Sequence, residues 1–126
     1  MGSAETYHGR YDAIRSHLGE EIYAYLEVIF AYGIPVVSAA GNEAVHANRK
    51  KVDTLPSVLV SNEIPLIVVG AASFKGEPAP FSQGTDSGQA TIFAPGVDVD
   101  MQFRRLDWES GTGTSYGKST TMSIFC

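Results

Sequence analysis

At 126 residues with 44% hydrophobic side chains, the chain is long enough for one domain, or part of one, with a modest core, and too apolar to be disordered. Its net charge of −5, with Lys and Arg scattered apart from "NRKK" at Asn48 to Lys51, leaves no basic footprint for nucleic acid or an anionic membrane, so neither is an expected partner. The single cysteine, Cys126, excludes an internal disulfide framework and a cysteine-rich zinc site.

Residues 1–17 read as a lead-in, without the apolar stretch of a signal peptide, and no run approaches the roughly 20 apolar residues that span a bilayer. From Glu20, "EEIYAYLEVIFAYG" sets Ile22, Tyr25, Leu26, Ile29 and Phe30 at the spacing of a helix that buries one face. Glu20 and Glu21 suit its first turn, and Gly33 followed by Pro35 suits its end. "IPVVSAA" (Ile34 to Ala40) is short, apolar and bounded by Pro and Gly, as a strand covered on both faces would be. "IPLIVVGAAS" (Ile64 to Ser73) has the same character. "ATIFAPG" (Ala90 to Gly96) and "VDVDMQF" (Val97 to Phe103) predict shorter strands, the second with one wet face. The loops "GNEAVHANRKKVDT" and "KGEPAPFSQGTDSGQ" are dense in turn residues. A helix followed by buried strands and long polar loops predicts an α/β domain with a largely parallel sheet, any site lying on loops at the strand ends.

"SGTGTSYGKST" (Ser110 to Thr120) carries two competing motifs. A phosphate loop needs G-x-x-x-x-G-K-[ST], so that backbone amides wrap the phosphates with a lysine behind them. Counting back from Gly117, Lys118 and Ser119, the first glycine falls on Thr112, with Gly111 a residue early and Gly113 a residue late. Neither a hydrophobic strand before it nor an apolar helix after it is evident. The alternative is a serine-nucleophile turn at Gly113, Thr114, Ser115 and Tyr116.

Several segments bear on that choice in order along the chain. "GIPVVSAAGNE" (Gly33 to Glu43), "LPSVLV", "LIVVGAAS", "FSQGT", "IFAPGVDV" (Ile92 to Val99) and "SGTGTSY" resemble successive motifs of the subtilisin-like serine peptidases, or subtilases. The resemblance covers about Leu18 to Tyr116 and implies a partial three-layer α/β fold, a largely parallel sheet flanked by helices. It assigns residues 18–116 to a partial peptidase domain and 117–126 to a divergent tail. It implies that Ser115 is the nucleophile, that Asn42 donates its amide to the oxyanion with the Ser115 backbone N–H, and that Ser38, Ala39, Ala40 and Gly41 line one wall of the specificity pocket. Taken alone, Asn42 reads as a turn residue and Ser115 as a cap or loop residue.

Acyl transfer by serine also needs a base and a group that orients it. The family's D-T-G-like Asp segment and H-G-T-H-like His segment have no counterpart here. His8, His17 and His46 read as solvated or partly packed, and Asp53, Asp86 and Asp98 as loop and turn carboxylates. After Ser115 the family continues into a long apolar helix, whereas "YGKSTTMSIFC" offers no apolar helix face, so that helix is expected to lose its scaffold. The chain is therefore expected to be a subtilase fragment, inactive alone, acting on polypeptide with the missing N-terminal part of the catalytic domain as a further partner. A non-catalytic peptide-binding module using the groove at Ser38 to Asn42 is the alternative. No cofactor and no metal site are expected, since no carboxylate cluster has convincing ligand spacing. Secretion is what the resemblance implies for location.

Overall fold

The computed structural model describes residues 4–125, with the backbone alone for residues 4–15, 103, 124 and 125. Cys126 lies outside the described residues, and so does the side chain of His8. The chain forms α1 (Ala4–Ala31), β1 (Val37–Ala39), a 3-10 turn (Ser57–Leu59), β2 (Ile67–Ala72), β3 (Ile92–Pro95), β4 (Val99–Arg104), β5 (Asp107–Gly111) and α2 (Thr114–Phe125). Strands β1, β2 and β3 make a parallel sheet in that order, with Val37 opposite Ile67 and Gly70 opposite Phe93. Strands β4 and β5 form a separate antiparallel hairpin.

Helix α1 opens well before Glu20 and runs through the boundary between residues 17 and 18. The apolar period begins near Glu20, but continuing a helix upstream requires only helix-compatible residues and no proline, which the lead-in supplies. Its buried arc is Gly19, Ile22, Tyr23, Leu26 and Phe30, while Tyr25, expected on that face, is 70% exposed. Successive residues stand 100° apart on a helix, so centring the contact on Leu26 turns Tyr25 outward and brings Tyr23 in. Leu26 packs with Ala40, Val52, Ile64, Leu66 and Val68, which makes this cluster the hydrophobic core between α1 and the sheet.

The opposite face of the sheet receives α2. Alternation along β2 sends Val68 toward α1 and Val69 toward α2. The tail expected to lack a helix is helical, a correction with a visible cause. Its buried face is made of small residues, Thr114, Gly117 and Thr121, in place of large apolar ones. The hydroxyls of Ser119, Thr120, Thr121 and Ser123 each donate to the carbonyl four residues back, so the polar run satisfies itself along the helix. Gly117 permits the close approach: a Cβ there would stand 3.1 Å from the Gly70 carbonyl oxygen and 3.2 Å from that of Ala94. The result is three layers, α1, the parallel sheet and α2.

The strand predicted at Val97 to Phe103 begins at Val99, and its partner β5 was not anticipated. "DWESG" is almost wholly exposed, so it has no buried face to leave a hydrophobic pattern. Among the described residues no helix is long and apolar enough to cross a membrane, and no group of three or more His, Cys, Asp or Glu could hold a metal ion.

Gly117→Val is expected to destabilise the fold by about 1–3 kcal/mol through overpacking against two backbone carbonyls that cannot retreat. Urea denaturation checks this, and a midpoint equal to that of the parent would mean that α2 does not seat on β2 and β3 as described.

Candidate active site

In a parallel sheet all strands end on the same side, and loops leaving those ends converge. β1 runs out through Ala40 into Gly41 and Asn42, and β3 runs out through Pro95 into Gly96. The β4–β5 hairpin then returns the chain to that same side. The Gly113 N–H donates to the Gly96 carbonyl at 2.7 Å, and the Asp98 N–H donates to Thr112 Oγ1 at 2.9 Å. Helix α2 starts one residue later, so Ser115 stands exposed in its first turn.

Thr114 joins these segments. Its backbone N–H donates to Asn42 Oδ1 at 2.9 Å, its hydroxyl donates to the same oxygen at 3.0 Å, and Thr114 Oγ1 accepts the Gly41 N–H at 3.1 Å. A backbone N–H can only donate, so the atom facing it must be the Asn42 oxygen, which fixes the carboxamide. Asn42 Nδ2 has no hydrogen-bond partner among the described residues, and a Cβ placed on Gly113 would lie 3.4 Å from it. The Ser115 N–H, second in the helix, has no intrahelical acceptor. Two unoccupied donors therefore lie on the residues flanking Thr114's contacts. The Ser115 hydroxyl has no partner among the described residues; only its carbonyl is used, by Ser119.

The remaining sequence-derived positions divide by strand alternation. Ser38 and Ala40 are buried, with Ser38 Oγ 2.6 Å from Ser57 Oγ, while Ala39 and Gly41 are partly exposed. Gly41 holds φ at 113°, a region favouring glycine, and a Cβ there would overlap Gln83 Oε1. Gln83 is fully buried and was not singled out from the sequence. Its Nε2 donates to the Arg49 and Lys51 carbonyls and to Asp53 Oδ1, and its N–H donates to the Gly41 carbonyl. It thereby ties the strand end to the following loop, where Arg49 grips Asp53 at 2.7 and 3.1 Å. Thr114 was likewise not singled out from the sequence, although it sits inside the quoted G-T-S; its only signal there is adjacency to Ser115.

His17 and His46 are largely exposed and lie 3.6 and 3.5 Å from Glu21 and Glu43. Neither hydrogen-bonds Ser115. The backbone agrees with the spacing in disfavouring a phosphate loop: only Thr112 and Gly113 separate β5 from α2, too few to encircle a phosphate, and from Lys118 onward the amides belong to the helix.

No family model matches the chain, and no curated protein does. Solved structures do. The chain is similar to the PatG macrocyclase domain, with a TM-score of 0.67 and 26% identity, covering 83% of this chain and 30% of that one. The PatG macrocyclase in complex with peptide gives a TM-score of 0.65, 26% identity and the same coverage. The prenylagaramide maturation protease PagA gives 0.62 and 21%, over 77% of this chain and 32% of that one. The chain thus spans about a third of the length of the structures it matches. Its α/β layers and parallel sheet match part of a subtilisin-like fold, and along most of its length it resembles subtilisin-like protease and macrocyclase domains.

Proposed function

We propose that the chain is part of a subtilisin-like serine endopeptidase domain, that it contributes the nucleophile and the oxyanion donors, and that it is inactive alone. The observation that supports this most directly is the Asn42 carboxamide held by the residue preceding Ser115. In peptide acyl transfer Ser115 Oγ would bond to the substrate carbonyl carbon, the carbonyl oxygen would take the electron pair, and the hydroxyl proton would pass to a base. Asn42 Nδ2 and the Ser115 N–H are the donors for that oxyanion, and the positive end of α2 adds to them. Gly41 and Ala39 offer their partly exposed faces as a wall for a substrate side chain.

The base and its orienting carboxylate have no counterpart among the motifs of this chain, and an unassisted serine hydroxyl stays protonated at neutral pH. In this reading they come from a complementary N-terminal polypeptide. A second reading, a non-catalytic peptide-binding module, is favoured by β1 standing at the edge of the sheet, where an extended peptide could add as a further strand. That one neighbour is a macrocyclase in complex with peptide fits either reading.

A fluorophosphonate probe separates them from an active enzyme. The native chain is expected to label at Ser115 no faster than the urea-unfolded chain, whereas rapid labelling abolished by Ser115→Ala would show that a base is present. Binding of an extended peptide that survives Ser115→Ala combined with Asn42→Ala would favour the binding module.

Thr114→Val keeps shape and backbone N–H but removes the hydroxyl. It is expected to cost about 1–3 kcal/mol, because the Gly41 N–H loses its acceptor, and to shift the Asn42 side-chain amide resonances. Thr114→Ser should restore both. Asn42 resonances unmoved in the valine variant would mean that Thr114 does not set the carboxamide.

A further inference from the structure

Helix α1 and the 3-10 turn leave an open groove of about 660 Å³ on the face of the molecule built from neither β1's end nor α2. One wall is a continuous helical stripe that includes Gly19, Glu20, Tyr23 and Glu27; the other is Leu55, Val58 and Leu59. The floor is apolar, and Tyr23, Leu55, Val58 and Leu59 are all incompletely buried by the chain itself. Gly19 has a bearing on the groove's depth. A Cβ there would meet only ordinary contacts, 3.8 Å to one Leu55 methyl and 4.0 Å to one of Leu59, so nothing in the fold demands glycine. Glycine within a helix is destabilising relative to alanine, and its effect here is to keep the floor open.

The rim carries the second signal. Glu20 and Glu27 lie seven residues apart on the groove side of α1, both exposed, and neither carboxylate has an ion pair or hydrogen bond among the described residues. On the same helix Glu21 instead lies 3.6 Å from His17. Two unneutralised carboxylates two turns apart beside an apolar trough match a segment that presents aliphatic side chains at helical spacing with lysine or arginine alongside.

We infer that this groove docks a cationic amphipathic helix of a partner protein. The site is separate from Ser115 and Asn42, so it does not depend on the peptidase reading. A basic partner is also the one an overall charge of −5 would steer inward.

The test uses a fluorescein-labelled helical peptide of leucine and lysine, about 14 residues long, with leucines at i, i+3, i+4 and i+7. Anisotropy titration should give saturable one-to-one binding. Glu20→Gln combined with Glu27→Gln should weaken it by about tenfold or more, and Gly19→Leu, which fills the floor, by a similar factor. Glu63→Gln combined with Glu77→Gln changes the net charge equally at exposed positions outside the groove and should leave binding within a factor of about two. Equal losses from the two charge pairs, or no saturable binding at millimolar peptide, would overturn the proposal. Should Gly19→Leu not fold, the comparison of the charge pairs decides alone.

Discussion

The bonds from Thr114 to Gly41 and Asn42 link positions 72 and 73 residues apart, and they connect the end of a buried strand to the start of a helix on the far face of the sheet. A carboxamide on a loop is ordinarily free to rotate. Here its oxygen accepts two donors from one residue, so its nitrogen has a single direction left. The same threonine anchors the first turn of α2, since one of the helix's orphan N–H groups is spent on Asn42. Strand end, loop and helix start are therefore one unit, and Gln83 braces that unit from behind by holding Gly41 and the loop from Arg49 to Asp53.

That unit rests on the parallel sheet, which was the most legible part of the fold. β1 and β2 fall inside the apolar runs at Ile34 and Ile64, because strands covered on both faces must be apolar throughout, and β3 falls inside the run at Ala90 although only its Ala94 is buried. Their ends, and so the site's location, follow from the runs and their bounding glycines. The core face of α1 was legible except for Tyr25, where the apolar pattern at 22, 25, 26, 29 and 30 admits two arcs and only Leu26's contacts choose between them.

What was not legible had no apolar burial to announce it. β5 pairs through its backbone while its side chains face water, so its sequence reads as a loop. In α2 the expected apolar face is replaced by a glycine and two threonines pressed against the sheet, and hydroxyls turned back onto the helix take the place of hydrophobic packing. Helix propensity and hydrophobic period both disfavour this run; close backbone approach at Gly117 decides otherwise. Thr114 and Gln83 are polar residues that act only through partners distant in sequence, and a sequence shows partners only when they are near.

Oxyanion donors and a general base differ in what they ask of a fold. In the peptidase reading the donors are one fixed carboxamide, Asn42, and one backbone amide, Ser115, placed by a strand end and a helix start. A base needs a titratable ring held at hydrogen-bond distance from Ser115, whereas His17 and His46 lie beside Glu21 and Glu43. The donors also depend on what covers them: Asn42 and Ser115 are open to solvent, and in water a hydrogen bond to a developing charge is worth little, because water offers the same. Excluding water and supplying the base are then a single requirement. Any polypeptide that brings a histidine against Ser115 must lie across the exposed ends of β1 and α2, and in doing so it lowers the local dielectric around Asn42 Nδ2. In the peptidase reading, the order in the chain's own half is preorganisation that acquires catalytic value only when that cover is in place.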